Sequence, residues 1–217
     1  MTSSKVIALF IFSLVAAFAA ALSDVQAQPN YVEVRLPLGV RADLPRNWVA
    51  LSNNQRITLS SSVQATVEQR GGYFDASSDL AFAANLYDDN QRAVGIFNIR
   101  YYPTETIKQE DIRAASASEI KDVDKELQRS LTAALPSAGL AVVEWLGSTK
   151  RTINGKSAIV TSYRRQRISP PLTGIFRVRL VRILDGGKTF TATLSYAEDN
   201  AILLEPISER IISSIRY

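Results

Sequence analysis

Apolar and polar positions along the chain fall into three regimes. From Val6 to Leu22 no charge interrupts an apolar run, and Ser23, Asp24 and Gln26 end it. Lys5 stands before the run and Val25-Gln26-Ala27 after it. A positive start, an apolar middle and a small-residue exit are the three parts of a secretory leader, so the pattern predicts cleavage after Ala27. A membrane anchor needs about 20 apolar residues, and this run is shorter and rich in alanine. The expectation is an exported protein, periplasmic or secreted, with one domain over 28–217.

Beyond the leader the period is mostly two. Val32, Val34 and Leu36 alternate with Glu33 and Arg35, which predicts a strand with one buried face. Leu44-Pro45-Arg46-Asn47-Trp48 predicts a turn fixed by Pro45 and a core anchor at Trp48 on a short strand. Arg56 to Leu59 reads as a further short strand, Ser60 to Gln69 is ambiguous, and Gly71-Gly72 reads as a loop. Leu80, Phe82, Ala84 and Leu86 alternate, Asp88 to Gln91 break the pattern, and Val94 to Tyr101 resume it, as in a hairpin.

After Pro103 the period changes. Ile112, Ser116, Ile120, Val123, Leu127 and Leu131 recur at steps of three and four, one apolar stripe on a helix. Thr106 and Gln109 have capping-box spacing, with Glu110 and Asp111 in the first turn, so the helix is predicted over 107–134. Pro136 ends it and Gly139 opens a loop. The last third returns to period two, with strands predicted over 140–146, 158–168, 175–184 and 189–196. Asn154-Gly155 is a favoured two-residue hairpin turn, Ser169 to Gly174 a longer connection, and Asp185-Gly186-Gly187 a turn. Ile202, Leu203, Ile207, Ile211 and Ile212 suit a closing helix over 201–212. The predicted class is α+β: an antiparallel β-sheet flanked by helices on both faces.

Four short segments carry a resemblance. Leu44-Pro45-Arg46-Asn47-Trp48, the hairpin at Ile153-Asn154-Gly155-Lys156, the run from Gly186-Gly187-Lys188 to Ser195-Tyr196, and Ile207 to Ile215 with its Ser213-Ser214-Ile215 ending are similar to segments of the PsbP-like fold family. That family includes the extrinsic photosystem II subunit, a small Ran-binding import factor and bacterial envelope proteins. The resemblance implies an accessory or binding protein rather than an enzyme; together with the export pattern and the missing catalytic residue types, it makes another protein of the cell envelope the expected partner. Fold alone assigns no function.

Composition narrows the chemistry. There is no histidine and no cysteine. This excludes Ser-His-Asp triads, histidine general bases, thiol nucleophiles and the usual zinc ligand sets. It also excludes a lipid-modified cysteine after the leader. Without disulfides the exported domain relies on packing, which a chain of this length supplies. The chain carries 25 basic and 21 acidic residues, net +4. Lys5 and Asp24 cancel, so the balance survives cleavage.

Three local motifs imitate functional ones. Gly155-Lys156-Ser157 resembles the end of a phosphate-binding loop, but Lys150 stands where the first glycine belongs and a strand pattern follows where a helix is needed. Ser118-Glu119-Ile120-Lys121 has Ser-x-x-Lys spacing without its companion motifs, and reads as a solvated helix face. Asp88-Asp89-Asn90 offers oxygens without the spaced ligand set of a calcium loop, and reads as a turn. No catalytic residues, metal site or cofactor are expected. An enzyme here would have to use carboxylates.

The remaining feature is basic. Arg164, Arg165 and Arg167 fall on one predicted strand, and Arg177, Arg179 and Arg182 on the next. Alternation places Arg165 with Arg167 on one face and Arg177 with Arg179 on one face, with Arg164 and Arg182 opposite their neighbours. Arginine binds carboxylate or phosphate bidentately, so Arg164, Arg165, Arg167, Arg177 and Arg179 form a candidate site for an anionic ligand, anionic lipid or another polyanion. The competing reading is a charged strand face paired with Glu198, Asp199 or Glu205. Nucleic acid is not an expected partner, because no aromatic-basic motif accompanies export.

Overall fold

The structure, a computed structural model, describes residues 30–36, 39–69, 79–102, 107–168, 174–185 and 188–216. The leader, Gly71-Gly72, Pro103, Thr106, Gly186-Gly187 and most of the Ser169 to Gly174 connection lie outside them.

Trp48 is the natural starting point. It is buried after the turn that Pro45 begins, with the Trp48 amide donating to the Pro45 carbonyl at 3.0 Å. Before the turn, β1 (Tyr31–Arg35) and β2 (Arg41–Pro45) pair antiparallel as a two-stranded ribbon. After it, β3 (Val49–Ala50) begins the main sheet. That sheet continues with β4 (Asp79–Tyr87), β5 (Ala93–Tyr102), β6 (Leu140–Ile153), β7 (Lys156–Arg167), β8 (Ile175–Asp185) and β9 (Lys188–Ala197). All seven strands are antiparallel in the order β3-β4-β5-β9-β8-β7-β6.

Alternation, interrupted by bulges in β4 and β6, gives the sheet two distinct faces. On the first, Phe82, Phe97, Ile99, Val160, Val181, Ile183, Phe190 and Leu194 form the main core. The ribbon (Val40, Ala42, Leu44) and α4 (Ala201–Ser214, through Leu204, Ile211 and Ile212) cover it. Full burial of one such side chain stabilises the fold by about 1.5–3 kcal/mol. On the second face a smaller cluster joins Ile159 and Leu184 to Ile112 and Ile120. Those two come from α2 (Gln109–Ala114) and α3 (Ala117–Ala134). The observed architecture is the α+β sheet with helices on both faces that the periodicity predicts.

Polar contacts fix the helices, those of Gln109 buried and those of Lys150 at the surface. Gln109 Nε2 donates to the Ser157 carbonyl at 3.0 Å and also to the Leu184 carbonyl, and the Ser157 amide donates to Gln109 Oε1 at 2.8 Å. Lys150 Nζ donates to the Arg113 and Ala115 carbonyls at 3.0 and 2.6 Å, closing the end of α2. Asn154, at φ 44° in its hairpin turn, donates to the Ser213 and Ile215 carbonyls at 2.9 and 2.6 Å and so closes α4.

Three predicted elements differ. Arg56 to Leu59 is not a strand but part of α1 (Asn53–Gln69). Ser52 and Gln55 start this helix reciprocally: the Ser52 amide donates to Gln55 Oε1 at 2.8 Å and the Gln55 amide to Ser52 Oγ at 3.3 Å. Ile57 and Leu59 are 56% and 43% exposed, so no buried face favours a strand there. The single helix over 107–134 is two, broken at Ala115-Ser116. Ser116 is not part of an apolar stripe but the cap of α3: it bonds the Glu119 amide, and Glu119 accepts from the Ser116 amide at 2.7 Å. The strand predicted over 140–146 continues to Ile153, carried past Gly147 (φ 94°) by two bulges.

Candidate functional site

The β7–β8 hairpin sorts its arginines by parity. Arg164 lies directly opposite Arg177, and Arg165 opposite Phe176. Arg164, Arg177 and Arg179 therefore point to the first face, under α4, while Arg165 and Arg167 point to the second. Five candidate residues on one hairpin make two environments, not one cluster.

On the first face the opposed cations are neutralised. Arg164 pairs with Glu144 and with Glu198 at 2.9 Å. Arg177 pairs with Glu198 and Glu205, each at 2.7 Å. Arg179, with a side chain 12% exposed, pairs with Glu205 and Glu209, and Arg151 reaches Glu209 at 3.1 Å. Tyr196 Oη also donates to Glu205. Glu205 and Glu209 are one helical turn apart on α4, so the ladder fastens that helix to the sheet. The Arg177 hydrogen bond holds Glu198 below the usual carboxylate range. For Glu209 burial pulls upward, but the charges of Arg179 and Arg151 with their hydrogen bonds outweigh it, and the carboxyl is also depressed. Burial first, then the Glu205 bond, raises the Tyr196 phenol. Glu198 and Glu205 are among the acids that the competing sequence reading named for this face. Both are used, together with Glu144 and Glu209 from more distant elements.

The second face is different. Arg165 reaches Ser195 Oγ at 3.4 Å, and among the described residues no carboxylate pairs with it. Arg165 is partly buried, and this burial, with Arg167 nearby, lowers the pKa below the ordinary arginine value, partly offset by Tyr163. Arg165 lines a cavity of about 310 Å³. Ile96, Leu140 and Phe176 give that cavity apolar walls, and Arg92 and Arg167 also line it. Arg92 is already held by Asp88 at 2.7 Å, whereas Arg167 is exposed. Phe176 was within reach of sequence reasoning, since a hairpin register places it across from Arg165. Ile96, Leu140 and Ser195 were not, because they come from β5, β6 and β9.

The other candidates resolve simply. Asn154 and Gly155 have φ of 44° and 81°, and β7 begins at Lys156, so Gly155-Lys156-Ser157 is a hairpin turn entering a strand. Ser118 and Lys121 are both exposed, with Ser118 Oγ 3.0 Å from Ser116 Oγ. Asp88 Oδ1 accepts from the Asn90 and Arg92 amides at 2.9 and 2.8 Å, which closes the β4–β5 turn. Among the described residues no three Asp or Glu side chains gather as metal ligands, and no helix is long and apolar enough to cross a membrane.

Neither protein-family models nor curated protein sequences match the chain. Solved structures do. The solution structure of cyanobacterial PsbP (CyanoP) from Synechocystis sp. PCC 6803 aligns at a TM-score of 0.53 and 13% identity, over 88% of this chain and 95% of that one. LpqN of Mycobacterium tuberculosis, described as involved in cell envelope biogenesis, aligns at 0.45 and 11%, over 86% and 89%. The Saccharomyces cerevisiae Ran-binding protein Mog1p aligns at 0.42 and 8%, over 87% and 96%. The first of these establishes a PsbP-like fold, as the four sequence segments suggest. At such identities the likeness concerns the fold alone.

Proposed function

We propose that the chain is an exported, non-enzymatic accessory protein of the cell envelope that works by binding, and that its binding element is the Arg165 cavity. One observation carries this reading: the partly buried Arg165 lines a cavity without a carboxylate partner among the described residues, in a protein that pairs Arg164, Arg177 and Arg179 two carboxylates at a time. A charge taken partly out of water is costly unless it is paired, so an unpaired one facing a cavity supports an anion that arrives from outside. The leader pattern supports export, and the missing histidine and cysteine support binding over catalysis.

Native mass spectrometry of the full chain, purified gently from its own envelope, tests the reading. One anionic species per chain is expected, lost at high salt and in Arg165→Gln. A bare chain whose melting temperature no anion raises would overturn it. The accessory role is tested by co-purification at low and high salt. A stoichiometric envelope protein is expected, and a chain that stays monomeric without a partner at any salt counts against that role.

A further inference from the structure

Resting on that reading, the cavity chemistry also defines a ligand class. We infer that the Arg165 site takes a single carboxylate carried on an apolar body. The charge balance sets the first half. Of the three lining arginines, Arg92 is spent on Asp88 and Arg167, also without a carboxylate partner among the described residues, is exposed to solvent, so Arg165 is the partly buried guanidinium left unneutralised. Of the five guanidinium N–H donors of Arg165, Ser195 engages one, at 3.4 Å. The rest present a planar fork, which matches a carboxylate's two oxygens. A phosphate dianion brings a second charge and a third exposed oxygen; Gln91, Gln166 and the exposed Arg167 also line the cavity, but Ile96, Leu140 and Phe176 keep its lining mainly apolar. Those walls set the second half of the inference. They desolvate hydrocarbon favourably and would strip water from phosphate at a cost. At about 310 Å³ the cavity lies at the low end of ligand pockets, which suits a small acid. The arrangement needs no bond making or breaking: the ligand is held by a charge-assisted fork at one end and by apolar contact at the other.

Calorimetric titration of the full chain, freed of bound ligand at high salt, distinguishes the possibilities. The probes are octanoate, benzoate, the neutral octanamide and inorganic phosphate. Octanoate or benzoate is expected to bind at least tenfold more tightly than octanamide. Arg165→Gln should weaken the acid at least tenfold and leave octanamide unchanged. Phe176→Ala should weaken acid and amide alike, by about three- to tenfold. The acid-against-amide ratio is read on the unmodified chain, so it decides the matter even if a variant folds poorly. Phosphate that binds through Arg165 while both acids fail would overturn the carboxylate inference and leave an anion site standing. Failure of every anion, or acid binding unchanged in a folded Arg165→Gln, would overturn both. Equal binding of octanoate and octanamide would reduce the site to an apolar pocket and also refute the inference.

Discussion

Two arginines on the same hairpin should respond to the same substitution with opposite sign. Arg179→Met removes a cation whose side chain is 12% exposed and which holds Glu205 and Glu209. Removing one partner of a buried pair costs about 3–5 kcal/mol, because the carboxylates stay behind. Arg177 still serves Glu205 and Arg151 still serves Glu209, so the low end, about 3 kcal/mol, is expected. At about 2–4 °C per kcal/mol for a domain of this size, the melting temperature should fall by about 6–12 °C. Arg165→Met removes a desolvated cation that no carboxylate among the described residues balances, and gives up one long bond to Ser195. Methionine keeps most of the stem packing and removes the charge. The expected change is a gain of about 1–2 kcal/mol, a fraction of the several kcal/mol that burial of an isolated ion costs, because Arg165 keeps some contact with solvent. That corresponds to a rise of about 2–8 °C. The assay is thermal and urea unfolding of ligand-free protein, dialysed at high salt before measurement so that loss of a bound anion does not mask the gain. An Arg165→Met protein that melts several degrees below the parent would show that the guanidinium contributes to folding, and the argument for an incoming anion would fail with it.

The remaining predictions concern the scaffold. Ser116→Ala removes the hydroxyl that accepts from the Glu119 amide while leaving the Ser116 amide bonded to Glu119, and should destabilise by about 1 kcal/mol, read as a lower urea midpoint with an unchanged slope; no change would return Ser116 to a passive surface position. Gln109→Leu leaves the Ser157 amide and carbonyl and the Leu184 carbonyl without their partner, and about 2 kcal/mol or more should be lost in the same assay. Gly95→Ala sets a Cβ 3.1 Å from the Trp48 ring and from Leu86 Cβ, so a loss of about 1–2 kcal/mol with altered tryptophan fluorescence is expected; wild-type stability would mean that the ring shifts freely. Glu198 and Glu209 titrate below their ordinary value when folded, so their contribution is complete above the ordinary glutamate pKa of about 4.3 and is lost as pH falls through the depressed values. Unfolding free energy should therefore decline below about pH 4, and Glu198→Gln should flatten that decline.

Much of the scaffold was legible because its information is local. Alternation at Leu80 to Leu86 and at Ala158 to Tyr163 marks strands wherever they end up in the sheet, and Asn154-Gly155 marks a turn without reference to the rest of the chain. Two of the three misreadings share one cause, a polar cap that outweighed an apolar pattern, while the third stopped β6 at the bulge before Gly147. Ser52 with Gln55 turned Arg56 to Leu59 into helix, and Ser116 with Glu119 divided a stripe whose spacing runs through the break. Both capping boxes were present in the sequence as Ser-x-x-Gln and Ser-x-x-Glu, so the signal was there and was outvoted by hydrophobic periodicity.

The candidate site was legible only as far as parity reaches. Counting along β7 is enough to separate Arg164 from Arg165, because neighbours on a strand point to opposite faces. What parity cannot supply is the company each side keeps, because that is decided by elements far along the chain. Glu205 and Glu209 arrive on α4, about 30 residues beyond Arg177 and Arg179. On the other face Ile96 and Leu140 arrive from β5 and β6 without a charge. A single step along one strand thus moves an arginine from a place where its charge holds a helix down to one where the fold leaves it unmatched. The first kind resists replacement because carboxylates depend on it. The second gives the fold no ion-pair partner among the described residues, and the proposed anion is what would match that charge.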